Sequence, residues 1–118
     1  MKFWLIVGAF FSALAVLLGA FGAHGLKSKV TPESLSIFEI GVRYQMYHSL
    51  ALILIGLIGY HFPHNAIIHS AYFMLAGIMI FSGSLYLLAL LNIKWLGAIT
   101  PIGGMCFIIG WLLLAFNI

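Results

Sequence analysis

A chain of 118 residues with 64% apolar and only 6% charged side chains cannot clothe a water-soluble surface. Soluble domains carry about a quarter charged residues, so the solvent for most of this surface must be hydrocarbon. The net charge of +3 rests on five basic and two acidic residues, too few for a nucleic-acid footprint, and the single cysteine, Cys106, excludes an internal disulfide. A spanning helix takes roughly 20 residues, so four consume about 80 and leave only short connections. The sequence therefore reads as all-α, an integral membrane bundle of four transmembrane helices with short loops, forming one domain over residues 1–118.

The first apolar run, at about 3–23, is interrupted only by Ser12 and is longer than the core of a signal peptide. Small residues recur along it at Gly8, Ser12, Ala15, Gly19 and Ala23, a spacing that lets a neighbouring helix approach closely. The most polar stretch follows, with Lys27, Lys29, Glu33, Glu39 and Arg43. Thr31-Pro32-Glu33 is a helix start: threonine caps free N–H groups, proline suits the first position, and glutamate faces the positive end. The second helix should begin near Pro32 and span the bilayer over about 36–60.

The turn from Tyr60 to Asn65 contains Pro63 and leads to a third span at about 66–91. Asn92-Ile93-Lys94 makes the next turn, Trp95 suits the membrane interface, and a fourth span covers about 97–117. With four crossings, the connections after the first and third helices share a side, and with them lie Lys27, Lys29, Arg43 and Lys94. The positive-inside rule puts that basic side in the cytoplasm and both termini outside it.

Helix direction then sorts the polar side chains by depth. His24, Glu39, Arg43, Tyr44, Gln45, His48, Ser82, Ser84, Tyr86 and Thr100 all fall in the basic-side half, and the other half is almost pure Leu, Ile, Phe and Gly. Glu39 and Arg43, spaced i, i+4 with the acid first, form either a neutralised pair or a site for an anionic headgroup or a carried proton. His24, Gln45, His48, Ser84 and Tyr86 are expected to turn inward as one connected hydrogen-bonded cluster, because orphaned polar groups are costly in hydrocarbon.

His24 and His48 on adjacent helices offer a haem or metal pair, or equally two structural imidazoles. No cysteine or carboxylate completes a ligand set, and Pro63 interrupts the His61, His64, His69 spacing, so neither metal nor cofactor is expected. No Ser-x-x-Lys, His-Glu-x-x-His or Gly-x-Ser-x-Gly pattern occurs, so no enzyme is expected. Ser82-Gly83-Ser84 and Gly103-Gly104 read as close helix contacts.

Four blocks of sequence resemble a known family. They are Gly19 to Lys27; Tyr44-Gln45, Tyr47-His48 and Leu50-Ala51-Leu52; Phe81 to Tyr86; and Leu96 to Gly104 with Gly110-Trp111. In this order they are similar to the family of small membrane proteins typified by YgdD and YwdK. The resemblance spans essentially the whole chain. It implies a four-helix protein of the bacterial cytoplasmic membrane, with a relative in animal mitochondria, and brings no reaction with it.

The functional expectation is a non-enzymatic bundle that binds membrane lipids, a membrane-protein partner or copies of itself. The alternatives are a small transporter or channel component using the polar half as a vestibule, and a haem- or metal-binding redox accessory built on His24 and His48.

Overall fold

The computed structural model describes residues 1–62 and 65–118, and every regular element in them is helical. Among these residues four helices follow one another: α1 (Lys2–Leu26), α2 (Pro32–Ile58), α3 (Asn65–Leu91) and α4 (Lys94–Asn117). Of these, α1, α3 and α4 are long and apolar enough to cross a membrane. With 27 residues α2 is long enough, but Glu39, Arg43, Tyr44, Gln45, Tyr47 and His48 dilute its hydropathy.

Local chemistry accounts for the boundaries. At the start of α2, Thr31 Oγ1 accepts a hydrogen bond from the Ser34 N–H at 3.1 Å, with Pro32 at the first helical position and Glu33 in the first turn. Helix α3 stops at Asn92, which takes the left-handed conformation (φ 54°) that asparagine tolerates better than most residues. Three departures from α geometry have no counterpart in the hydrophobic pattern. The last turn of α1, Gly22–Leu26, and the middle of α3, Ile78–Ser82, are π-helical, and α4 opens with a 3₁₀ turn, Lys94–Ala98.

Helix α1 packs along α2, α4 packs along α3, and α2 and α3 meet in the middle, which leaves α1 and α4 at the outer edges. The Cα envelope of 47 × 26 × 16 Å is accordingly flattened rather than square. The small residues of α1 serve its crossing with α2: a Cβ on Gly8 would lie 2.7 Å from both the Ser49 carbonyl oxygen and the Ile53 side chain, and Ala15 is fully buried. Gly103 makes the equivalent crossing of α4 on α3, where a Cβ would run into the backbone of Phe81.

The larger apolar cluster, built on Trp4, Leu52, Ile55, Ile67, Met74 and Phe107, fills the middle and the end away from the basic loops. A small second cluster of Leu26, Phe38 and Ala89 closes the basic end. Between them lie the cross-helix hydrogen bonds of Gln45, Ser82, Ser84 and Tyr86.

Candidate functional site

Gln45 joins three helices. Its Nε2 donates to the Phe11 carbonyl of α1 at 2.8 Å, and its Oε1 accepts from the Tyr86 hydroxyl of α3 at 2.6 Å. The side chain is 2% exposed, so these bonds replace water that cannot reach it. One turn on, the Ser49 hydroxyl donates to the Gln45 carbonyl at 2.6 Å.

On α3 the π turn adds a residue to one turn and so shifts the register of everything after it. Ser82, which closes that turn, faces α2 and donates to the Gly41 carbonyl at 2.7 Å. Ser84 faces α4, where its hydroxyl lies 2.6 Å from the Thr100 hydroxyl, and it also donates to the Phe81 carbonyl at 2.9 Å. Tyr86 turns back to α2, with its ring against Gly41, where a Cβ would come within 2.8 Å.

His48 belongs to a different group. Its ring stacks on Phe107 of α4 at 3.5 Å between centroids and 11° between planes. The Trp111 indole N–H donates to His48 Nε2 at 3.1 Å, and His48 Nδ1 lies 2.7 Å from the Tyr44 carbonyl. An indole nitrogen only donates, so Nε2 must be the acceptor and Nδ1 must carry the hydrogen that goes to Tyr44. This fixes a neutral imidazole with both nitrogens engaged. Tyr44, Tyr47, His48, Phe81, Gly104, Phe107, Ile108 and Trp111 line an outward-opening aromatic groove of about 450 Å³ between the parallel helices α2 and α4.

The expected single cluster is therefore resolved into separate links: Gln45 with Tyr86, Ser84 with Thr100, Ser82 with the Gly41 backbone, and His48 with Trp111. The physical reason is that each group finds a partner on the nearest facing helix, and backbone carbonyls are closer than a common centre. His24 is joined to none of them. It sits exposed in the π turn that ends α1, beside Gly22, which packs on Phe38. Phe38 precedes His48 by ten residues of α2, about 15 Å along the axis. His24 and His48 therefore do not share a depth, and the pairing of adjacent-helix imidazoles that the sequence allowed is not formed.

Glu39 and Arg43 lie on the outer face of α2, with Arg43 Nη2 3.7 Å from Glu39 Oε2. Tyr44 is partly exposed and lends its carbonyl to His48. His61 and His69 are exposed, and His64 lies outside the described residues. Among the described residues no group of three or more His, Cys, Asp or Glu side chains is arranged to hold a metal ion.

Trp111, Ser49, Ser70 and the Phe11 carbonyl are contributors that reasoning from sequence missed. A signal for Trp111 existed: a tryptophan placed in hydrocarbon needs an acceptor for its N–H, and α4 runs parallel to α2, which carries the nearest imidazole. Ser70, which donates to the Gly110 carbonyl at 2.7 Å, carried no such signal, because a backbone acceptor leaves no mark in the sequence.

Comparison with known proteins places this architecture among relatives. The profile of a family described as a protein of unknown function (DUF423) matches residues 18–104, which include all ten candidate residues from His24 to Thr100. The UPF0382 membrane protein SAB0533 of Staphylococcus aureus is 51% identical over 114 residues, covering 97% of this chain and 93% of its own. A UPF0382 membrane protein of Staphylococcus haemolyticus is 49% identical over 117 residues, covering 99% and 95%. YwdK of Bacillus subtilis, also a UPF0382 membrane protein, is 44% identical over 115 residues, covering 97% and 94%. No solved structure matches. With a profile over most of its length and relatives at this identity over nearly all of it, the chain belongs to the DUF423 (UPF0382) family of membrane proteins.

Proposed function

We propose that all four helices, α2 included, cross the bacterial cytoplasmic membrane, and that the bundle acts without catalysis, by binding membrane lipid, a membrane-protein partner or a second copy through its outer faces. One observation carries this reading: among the described residues, no buried side-chain nitrogen or oxygen is left without a hydrogen-bond partner. Gln45, His48, Ser49, Ser82, Ser84 and Tyr86 are spent on one another, on Trp111 and Thr100, and on backbone carbonyls. A polar interior closed in this way suits spanning, because α2 turns Gln45, His48 and Ser49 inward and offers lipid Leu50, Leu54 and Leu57. It also favours surface binding over conduction through a vestibule, and over a haem held by a His48 whose ring nitrogens are engaged.

Orientation follows from charge. Lys27 and Lys29 before α2 and Lys94 after α3 give the cytoplasmic side, with both termini on the other. The test combines two measurements on purified protein. Native mass spectrometry should find retained lipid, a second copy or a partner, and proteoliposomes should show no ion or solute flux. Flux that depends on Arg43, with nothing retained, would overturn the reading in favour of transport. A haem absorption band that vanishes in His48→Leu would overturn it in favour of a redox accessory.

A further inference from the structure

The second half of the outer face of α2 is lipid-facing leucine, Leu50, Leu54 and Leu57, but its first half carries an ion pair. Glu39 and Arg43 project there with their side chains about half exposed, 47% and 57%. They border a groove of about 240 Å³ between α1 and α2, whose other walls are Gly19, Phe38 and Val42. Gly19 keeps the α1 wall low.

The depth of the pair follows from helix geometry. Helix α2 is about 40 Å long at 1.5 Å per residue, against a hydrocarbon core of about 30 Å. Its last turns, Leu54 to Ile58, are wholly apolar, so the surplus belongs at its polar start, Pro32 to Ser36. Glu39 then lies at the headgroup boundary, and Arg43 about 6 Å deeper, within reach of its long side chain. Side chains on a helix lean toward its N-terminus, which tilts Arg43 toward the same boundary. The 3.7 Å separation is a loose ion pair, open to a third party.

The order of charges along the membrane normal is the informative feature: carboxylate outside, guanidinium inside. A phospholipid headgroup that carries an amine has the complementary order, with its phosphate next to the glycerol and its ammonium farther out. Resting on the binding reading above, we propose that Glu39 and Arg43 form a recognition site for a phospholipid headgroup bearing a primary ammonium. Arg43 donates to the phosphodiester, and Glu39 accepts from the ammonium. The acyl chains run down the Leu50, Leu54 and Leu57 stripe of the same face. Lys27 and Lys29 in the adjoining loop draw any anionic headgroup, but they offer no carboxylate. The carboxylate is what discriminates.

The experiment is native mass spectrometry of the full chain equilibrated with equal amounts of phosphatidylethanolamine, phosphatidylglycerol and phosphatidylcholine. Phosphatidylethanolamine should be retained roughly tenfold over each of the others, the ratio expected for one charge-assisted hydrogen bond. Phosphatidylcholine has the same phosphate but a quaternary nitrogen that cannot donate. In Glu39→Gln the preference over phosphatidylcholine should vanish while lipid binding persists, and in Arg43→Gln retention of all three should fall. The exchange variant Glu39→Arg with Arg43→Glu keeps an ion pair but inverts its order, and it should lose the preference. A wild-type preference for phosphatidylglycerol, or a phosphatidylethanolamine preference intact in Glu39→Gln or in the exchange variant, overturns the proposal. Equal retention of the three lipids also sinks it but leaves surface binding standing; a chain that retains no lipid, partner or second copy sinks both.

Discussion

At the scale of single residues, Gln45 and Tyr86 show how a polar group is accommodated in an apolar bundle. Each is the other's partner, so truncating one orphans part of the other, and the two costs are unequal. Tyr86→Phe removes one hydroxyl and leaves Gln45 Oε1 without its donor, a loss of about 0.6 to 1.7 kcal/mol for a membrane hydrogen bond. Gln45→Leu strands the Tyr86 hydroxyl and also abandons the Phe11 carbonyl, and should cost about 1 to 3 kcal/mol. The double variant should be less destabilised than the sum, because the shared bond is lost only once. Unfolding titrations in mixed micelles read all three values; strict additivity would contradict the shared bond. His48→Leu should cost a modest amount, about 1 to 2 kcal/mol or one membrane hydrogen bond, because it orphans the Trp111 indole N–H, and Trp111 fluorescence should change.

At the scale of elements, two glycines separate a close crossing from an open site. Gly103 lets α4 pass against the backbone of Phe81, where no side chain can yield, so Gly103→Ala should cost about 1 to 3 kcal/mol. Gly83, also helical, has no neighbouring atom within 4 Å of where an alanine methyl would sit, so Gly83→Ala should stabilise by up to about 1 kcal/mol. Thermal melts of the two variants should move in opposite directions. What the sequence could and could not reveal divides along the same line. The apolar runs and Thr31-Pro32-Glu33 announce the helices to within a few residues, because hydropathy and capping are local. The π turns at Gly22–Leu26 and Ile78–Ser82 are invisible in it, since they answer to the packing of neighbouring helices. Topology brings Gln45, Ser82, Ser84, Tyr86 and Thr100 to one end. Which faces which depends on a register that the π turn of α3 alters, and His24 lies farther from His48 than helix order alone suggests.

At the scale of the whole molecule, charge asymmetry makes its own prediction. Reporter fusions at Ile118 should be active only in the form that reads the non-cytoplasmic side, and a label directed at Lys94 should react from the cytoplasm. Exchanging Lys27, Lys29 and Lys94 for glutamine removes the bias and should yield mixed topologies. A uniform topology in that variant would assign orientation to something other than the loop charges.

The bond from Gln45 to the Phe11 carbonyl bears on how the chain is made. Helix α2 is the least apolar of the four, and it leaves the ribosome after α1 but before α3 and α4. Its amide already has a partner on α1, and Gly8 lets the two helices close tightly, so if α2 spans as proposed it should enter the membrane as a hairpin with α1 rather than as a lone, marginal segment. A nascent chain ending at Phe62 should therefore integrate both helices, whereas one lacking residues 1–26 should let α2 slip through to the lumen of a test microsome. Glycosylation mapping distinguishes the two outcomes. On this view α1 is a chaperone built into the polypeptide, delivering its neighbour to the lipid before the rest of the fold exists.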